Sequence, residues 1–390
     1  MGYKTTLCDV SLDGGHYGIA APAVDFKPGL PAYLRITDIN DDGTLNPSDR
    51  KSVDDSSAGN YLLHEGDIVF ARTGNSTGRN YYYDPRDGEY AYAGFLIKFS
   101  LDPRKINPRY MKYYAQSKQY WDWVSSFNTG STRGNINAKT YASMPIDLLS
   151  RQIQDGIVAI CDAIDDKIRI NRQLNDYLEQ LVDGKFQELF GGLNFNATLS
   201  DVAEITMGQS PAGSSYNEEG AGIIFYQGRG EFGWRFPKRR LYTTEPKRLA
   251  CEGDVLMSVR APVGDLNVAF ENCCIGRGLA AIHSETPSFA LYLMRFLKPQ
   301  LEAYNGEGTV FGSINGKALK SLEVALPSHN EVMQFESFAA PIDALIRSNE
   351  NETRKLNNLR NYLLPKLMSG EIDVSKVDLT QLTNNHLADY

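Results

Sequence analysis

The sequence predicts an α+β protein made as a pseudo-twofold repeat: two mixed α/β globules separated by two long helices that pair as an antiparallel coiled coil. Three observations predict it. The first is duplication. "TLCDV" (6–10) returns as "TLSDV" (198–202), "EGDIVFARTGNSTG" (65–78) as "EGDVLMSVRAPVG" (252–264), and "GNINAK" (134–139) as "GSINGK" (312–317). At a fixed offset, residues 130–190 align with 308–368 without a gap, and 16 of these 61 pairs are identical. They include Gly130/Gly308, Ile136/Ile314, Asn137/Asn315, Lys139/Lys317, Asp165/Asp343 and Asn171/Asn349. Repeats in constant order over such a length mark two homologous halves.

The second observation is a long helical pattern closing each half. Ser150 and Ser328 suit N-caps, and Glu331 stands three residues after Ser328, as a capping box requires. Gly191–Gly192 and Gly370 stand where helices stop. Between them the seam of the first copy reads Ile157, Ile160, Ile164, Lys167, Asn171, Leu174, Leu178 and Leu181. That of the second reads Phe335, Phe338, Ile342, Leu345, Asn349, Glu352, Leu356 and Leu359. Alternating steps of three and four are a coiled-coil signature, and a lone polar seam residue fixes register at some cost in stability. Asn171 and Asn349 each lie midway along their helix, so antiparallel pairing brings them together.

The third is a mixed pattern in the rest of each half. "YLRIT", "GDIVFAR", "AGFLIKF", "GIIFYQG", "GDVLMSVR" and "LAAIHS" read as short strands. "PRYMKYYAQSKQYWDWV" and "SFALYLMRFLKPQL" read as helices. The expected domains are 1–149, 192–327, the helices 150–191 and 328–369 between and after them, and a tail, 370–390.

The 390 residues carry a net charge of −8, which argues against a polyanionic partner until its distribution is considered. Residues 1–149 hold 16 basic against 17 acidic groups, and 191–327 hold 13 against 14, so both globules are nearly neutral. Each has an aromatic-rich basic run: "PRKINPRYMKYYAQSK" (103–118) and "QGRGEFGWRFPKRR" (227–240). No apolar stretch has the length of a membrane span, and "MGYKTTLCDVSLDGG" has no secretory pattern. Five cysteines, Cys8, Cys161, Cys251, Cys273 and Cys274, make no closed framework. A reducing cytoplasm is expected.

Several chemistries lack their residues. "GSINGK" is not a P-loop: Phe311 stands where the first glycine belongs, and Ala318 follows Lys317 in place of Ser or Thr. No (N/D)PP(Y/F) string for methylating a flipped adenine is present. Asp165-Asp166-Lys167 has nuclease letters but falls in the helical pattern. The histidines at 16, 64, 283, 329 and 386 are scattered, with no metal-ligand spacing. No catalytic residue and no metal ligand is assigned.

Two similar domains on a spacer suit a partner with two separated sites, such as the successive faces of a DNA duplex. Divergent domains would read an asymmetric, bipartite site. "MGQSPAGSSYN" (207–217), "GDVLMSVRAPVGDLN" (253–267), "CIGRGLAAI" (274–282), the two Gly-rich junctions and the two helices together resemble the specificity subunit (S, HsdS) of Type I restriction–modification systems. The likeness spans nearly the whole chain. It implies two target-recognition domains and spacer helices that dock two methyltransferase (M) subunits, with restriction (R) subunits added to that core. S-adenosylmethionine, ATP and Mg would belong to those partners; none is expected in this chain. Two alternatives stand: a same-fold DNA-binding subunit of a related Type II or regulatory system, and an enzyme with an unrecognised site.

Arg72 and Arg260 follow a strand at matching places and open divergent loops. Arg grips guanine through two hydrogen bonds, and Asn or Gln grips adenine. Asn75, Arg79, Gln209, Gln227, Arg229 and Arg235 are further candidates by position. Arg133, Lys139, Ser313 and Lys317, at the junctions, are candidates for the backbone contacts that make up half or more of such interfaces. Trp121, Trp123 and Trp234 are expected in the core.

Overall fold

The computed structural model describes residues 3–46, 49–127, 134–306 and 312–377. Gly130, Gly308 and Arg133 lie outside them. In chain order the elements are β1 (Tyr3–Thr6), β2 (His16–Tyr17), β3 (Ala23–Asp25), β4 (Ala32–Leu34), β5 (Lys51–Val53), β6 (Asp67–Ala71), β7 (Asn80–Tyr82), β8 (Tyr90–Tyr92), β9 (Leu96–Ser100), α1 (Pro108–Tyr114), α2 (Lys118–Ser125), α3 (Ala138–Ala142), β10 (Pro145–Leu148) and α4 (Arg151–Phe190). The second half continues with β11 (Ala197–Thr198), α5 (Leu199–Val202), β12 (Glu204–Met207), β13 (Tyr216–Asn217), β14 (Ile223–Tyr226), β15 (Leu241–Thr243), β16 (Leu249–Ala250), β17 (Val255–Ser258), β18 (Leu266–Val268), β19 (Cys273–Ile275), β20 (Leu279–His283), α6 (Pro287–Phe296), α7 (Lys298–Glu302), α8 (Gly316–Lys320), β21 (Glu323–Val324) and α9 (His329–Ser369).

The chain forms two compact units. The first contains residues 1–169 and 353–390, the second 170–352. Each unit therefore takes part of both long helices. The sheets repeat from unit to unit. The first has sheets β2-β9-β6-β7, β3-β5-β4-β8 and β1-β10; the second has β12-β20-β17-β18, β13-β15-β14-β19-β16 and β11-β21. Each larger set contains one parallel pair, β4 with β8 and β14 with β19.

Two expected helices are each split. α1 and α2 break where Ser117 caps the second, its side chain accepting from the Tyr120 N–H. α6 and α7 break before Lys298-Pro299, because proline serves in a first turn but not in a helix interior. "YLRIT" is a strand only to Leu34; Ile36–Asp38 turn as a 3₁₀ helix whose Asp38 carboxylate takes the Arg35 N–H.

The long helices start and stop where their capping residues stand. Ser328 and Glu331 make the reciprocal capping box, and Gly370 adopts φ +77° after Ser369. In the second unit α4 and α9 run antiparallel: Asn171 lies against Asn349 and Glu352, and Phe186 against Phe335. In the first unit Arg360 of α9 pairs with Asp165 of α4 at 2.8 Å.

Their covered stripes differ from the expected seam in one respect. Ile157, Ile164, Asn171 and Leu178, with Phe335, Ile342, Asn349 and Leu356, are covered as expected, and so are Ile160 and Phe338. The alternate positions fall one residue later, at Cys161, Ile168, Asn175 and Val182 and at Ala339, Ile346, Thr353 and Arg360. Leu181 is 54% exposed and Leu359 44%; Leu174 and Leu345 are exposed too. The expected seam took the step of three at each of these places, with Lys167 and Glu352 beside the covered Ile168 and Thr353; Asn175, Thr353 and Arg360 are polar groups covered with partners. Asn349 Nδ2 donates to Asn175 Oδ1 at 2.8 Å, and Asn171 Nδ2 donates to the Glu352 carboxylate at 2.8 Å.

Asp165 and Asp343, identical in the repeat, anchor each helix to its own globule. Asp165 accepts from Tyr113, Lys112 and Arg360. Burial works against its charge, yet the two cations hold its carboxyl below the usual range. Asp343 accepts from Tyr292 and Arg235. Of the nuclease-like letters at 165–167, Asp165 is thus a helix-anchoring residue, and Asp166 pairs with Arg86.

Candidate nucleic-acid interface

In the second unit four loops are joined by backbone hydrogen bonds along one edge. Val259 N–H donates to Gly278 O and Ile314 N–H to Val259 O. Gly278 N–H donates to Gln227 O, Gln209 N–H to Ile275 O, and Arg277 N–H to Ser210 Oγ. Arg260 pairs across a bridge with Ser313. Glycine lets these backbones approach: a Cβ on Gly208 would stand 2.2 Å from Gly276 O. The result gathers Gln209, Gln227, Arg260, Arg277 and Ser313 along one set of loops, every side chain exposed.

Beside them, Asn315 caps α8 by accepting from the Ala318 N–H at 2.9 Å, which sets Lys317 and Lys320 on the surface. These lysines and Arg248 line a groove of about 820 Å³ with Thr206 and Ser321. Among the described residues none of Arg248, Arg260, Arg277, Lys317 and Lys320 is held in an ion pair.

The first unit repeats the backbone pattern with other side chains. Ile136 N–H donates to Arg72 O, Arg72 N–H to Phe95 O, and Thr73 bridges Asn135. Arg72 therefore stands where Val259 does, and Thr73 where Arg260 does. The expectation of matching places for the two arginines is corrected by one residue, because the length adjustment falls in the loop after them: the offset of 187 that relates Asp67 to Asp254 still relates Arg72 to Val259. The Arg72 guanidinium lies over the Tyr17 ring at 5.1 Å and near Phe95 at 6.0 Å. Its Nε is buried with no hydrogen-bond partner among the described residues. Asn75 and Lys139 are exposed, and Asn137 caps α3 as Asn315 caps α8.

Three candidates are engaged within the protein. Arg79 bonds Asp41 at 2.7 Å and Ile39 O at 3.2 Å. Arg229 pairs with Asp265. Arg235 is 4% exposed and holds Glu179, Tyr292 and Asp343; the core takes this charge, so it is not brought to the loop edge. Arg133 lies outside the described residues. Trp234, expected in the core, is 43% exposed and lines a cleft with Arg229 and Asp265.

The basic runs that stand out in the sequence are largely neutralised in space. Arg104, Arg109, Lys112 and Lys118 pair with Asp102, Asp162, Asp165 and Asp122. Arg239 and Arg240 pair with Glu271 and Glu231. The unpaired cations are instead scattered singly along the chain. Arg248, Arg277 and Lys320 had no signal in the sequence except a flanking glycine or turn, and sequence reasoning did not select them.

One group with metal-ligand chemistry exists among the described residues: Cys251, Asp254 and His283, with ligand atoms within 4.8 Å of one another. Sequence spacing did not show it, since β17 and β20 bring it together. Both Asp254 oxygens are already engaged, by Cys251 N–H and by His283 Nδ1, each at 2.7 Å. Asp67 does the same work in the first unit, accepting from His64 N–H and Ser100 Oγ. The shared role is to close the turn before the strand, where Gly66 and Gly253 adopt φ +93° and +91°.

Among the described residues no helix is long and apolar enough to cross a membrane, and all five cysteines are free thiols. The Type I restriction modification DNA specificity domain family matches the chain twice, at residues 33–180 and 196–361. A specificity subunit of the MjaX type I restriction enzyme of Methanocaldococcus jannaschii is 30% identical over 344 residues, 80% of each chain. The MjaIX specificity subunit of the same organism is 21% identical over 309 residues, 69% of this chain and 70% of that one. In fold the chain is similar to the crystal structure of a Type I restriction–modification S subunit from M. genitalium, with TM-score 0.58 at 15% identity, over 94% of this chain and 96% of that one. With both halves matched, the chain belongs to the Type I restriction–modification specificity subunit family, whose members recognise DNA and are not themselves catalytic.

Proposed function

We propose that the chain reads an asymmetric, bipartite DNA site, one part with residues 1–149 and the other with 192–327. The observation that carries this reading is the shared backbone pattern with divergent side chains at its edge. Equivalent hydrogen bonds within each unit make Thr73 the counterpart of Arg260, Gly94 of Arg277 and Tyr17 of Met207. A constant frame with changed donors is how one fold reads different bases. Arg72, Asn75, Gln209 and Gln227 are the contacts proposed for the bases, and Arg260, Ser313, Lys139 and Lys317 those for the DNA backbone beside them.

The helices 150–191 and 328–369 would serve as spacer and as docking surface for two methyltransferase subunits. Supporting this are the apolar side chains that α4 and α9 leave uncovered: Leu174, Tyr177 and Leu181, and Leu345, Leu359 and Tyr362. S-adenosylmethionine, ATP and Mg would be bound by the methyltransferase and restriction subunits, in the cytoplasm. Exchanging residues 1–149 for another recognition domain should change one part of the methylated site and leave the other. Methylome sequencing reads the result; alteration of both parts overturns the two-reader reading. Methylation or cleavage by the purified chain alone would overturn the non-catalytic assignment.

A further inference from the structure

We propose that the second recognition domain is the electrostatic anchor of the protein on DNA: Arg248, Arg260, Arg277, Lys317 and Lys320 form a phosphate track that the first domain largely lacks. The proposal rests on the DNA-recognition reading and adds an unequal division of work between the domains.

The five side chains are exposed, and three of them share one groove. Arg260 and Arg277 stand on the loops joined to it: Arg260 bridges Ser313, two residues before the α8 cap, and the Arg277 N–H is held by Ser210. Most other cations of this unit are consumed by carboxylates, as in Arg235 with Glu179, Arg239 with Glu271, Arg295 with Asp183 and Arg347 with Glu252. Glu204 is the one carboxylate lining the groove. An exposed cation without a protein partner keeps its charge for an external anion. Several in a row suit a polyanion, and hydroxyls such as Thr206 and Ser321 supply further donors to phosphate oxygens.

The first unit can be compared position by position, because the same backbone pairs recur. Leu249 pairs with Cys274 as Leu62 pairs with Ala91, so Arg248 corresponds to Tyr61. Arg260 corresponds to Thr73 and Arg277 to Gly94, through the Val259–Gly278 and Arg72–Phe95 bonds. Lys317 and Lys320 correspond to Lys139 and Ala142 in the short helices capped by Asn315 and Asn137. Four of the five positions are uncharged there. In their place Arg72 lies between Tyr17 and Phe95, an arrangement that offers stacking and one directed donor group in place of a charged row.

Each phosphate contact releases condensed counterions, so the logarithm of affinity falls with the logarithm of salt at a slope of about −0.9 per contact. The experiment uses the full chain assembled with its methyltransferase subunits and a mixed-sequence duplex of about three helical turns, ~30 bp, titrated across salt. The triple variant Arg248→Gln, Lys317→Gln, Lys320→Gln is compared with a control of equal charge change, Lys4→Gln, Lys27→Gln, Lys105→Gln, on exposed cations of the first unit. The groove triple should reduce the magnitude of the slope by about 3 and weaken all sequences alike, and the control by less than about 1. Equal changes in the two triples would mean that only net charge matters and would overturn the track. An unchanged slope with binding intact would do the same. If the wild-type complex binds no duplex, the DNA-recognition reading falls, and the track with it.

Discussion

At the scale of single residues, the charges that matter most are those already spent inside the protein. Arg235 is covered and held by two carboxylates and a phenol. Replacing it by methionine leaves Asp343 without its cation and Glu179 with Arg295 alone. A loss of about 3–5 kcal/mol is expected, read by denaturant unfolding. Neutralising both carboxylates in the same chain (E179Q, D343N) should recover part of it. His283 gives a test in pH. Its hydrogen bond to Asp254, and the negative charges of Asp254, Glu204 and Glu285, raise its imidazole above the usual range. A raised folded value means that the stabilisation is complete below the ordinary ~6.5 and is lost as pH climbs through the folded value. The melting-temperature advantage of the wild type over H283Q should therefore be larger near pH ~5.5 than near ~8.5; an advantage independent of pH excludes the ion pair. Neither residue's place was legible in the sequence. Arg235 sits in a basic run that suggested DNA, and only the fold shows that α4 and α9 supply its acids.

The elements were more legible than their faces. Helix limits follow from local chemistry, the Ser caps and the terminal glycines, and local chemistry is written in adjacent letters. Strand β6 and its repeat β17 were equally visible, as apolar runs bounded by a Gly-Asp turn and a polar loop. The covered stripe of each long helix was half legible, because a step of three and a step of four are both allowed and the structure takes four where the expected seam took three, as from Ile164 to Ile168. At Asn175 and Thr353 the covered residue is polar, so hydrophobicity does not mark it. N349L removes the donor to Asn175 Oδ1 and should cost about 1–3 kcal/mol. In a double-mutant cycle with N175L a coupling of about 0.5–3 kcal/mol is expected; additive effects would show that the two amides act independently.

For the whole molecule, the duplication was legible from three short strings and carried most of the fold. The interface was not, because the cations left unpaired come from separate loops and the clustered ones are neutralised by distant aspartates. Repetition in sequence reports a shared frame. It does not report which copies of a surface charge survive folding.

The division of the chain into two units has a consequence for how the protein is made. The second unit is one continuous stretch, 170–352, whereas the first begins at the N-terminus and is completed by residues from 353 onward. Leu364, Leu367 and Val374 belong to the same core as Leu7, Ile68 and Ile157. A nascent chain can therefore assemble its second recognition domain while the first, although synthesised earlier, still lacks its closing segment. A ribosome stalled or a message cut after codon 352 would release a chain with the later domain sound and the earlier one open, the reverse of what order of synthesis suggests.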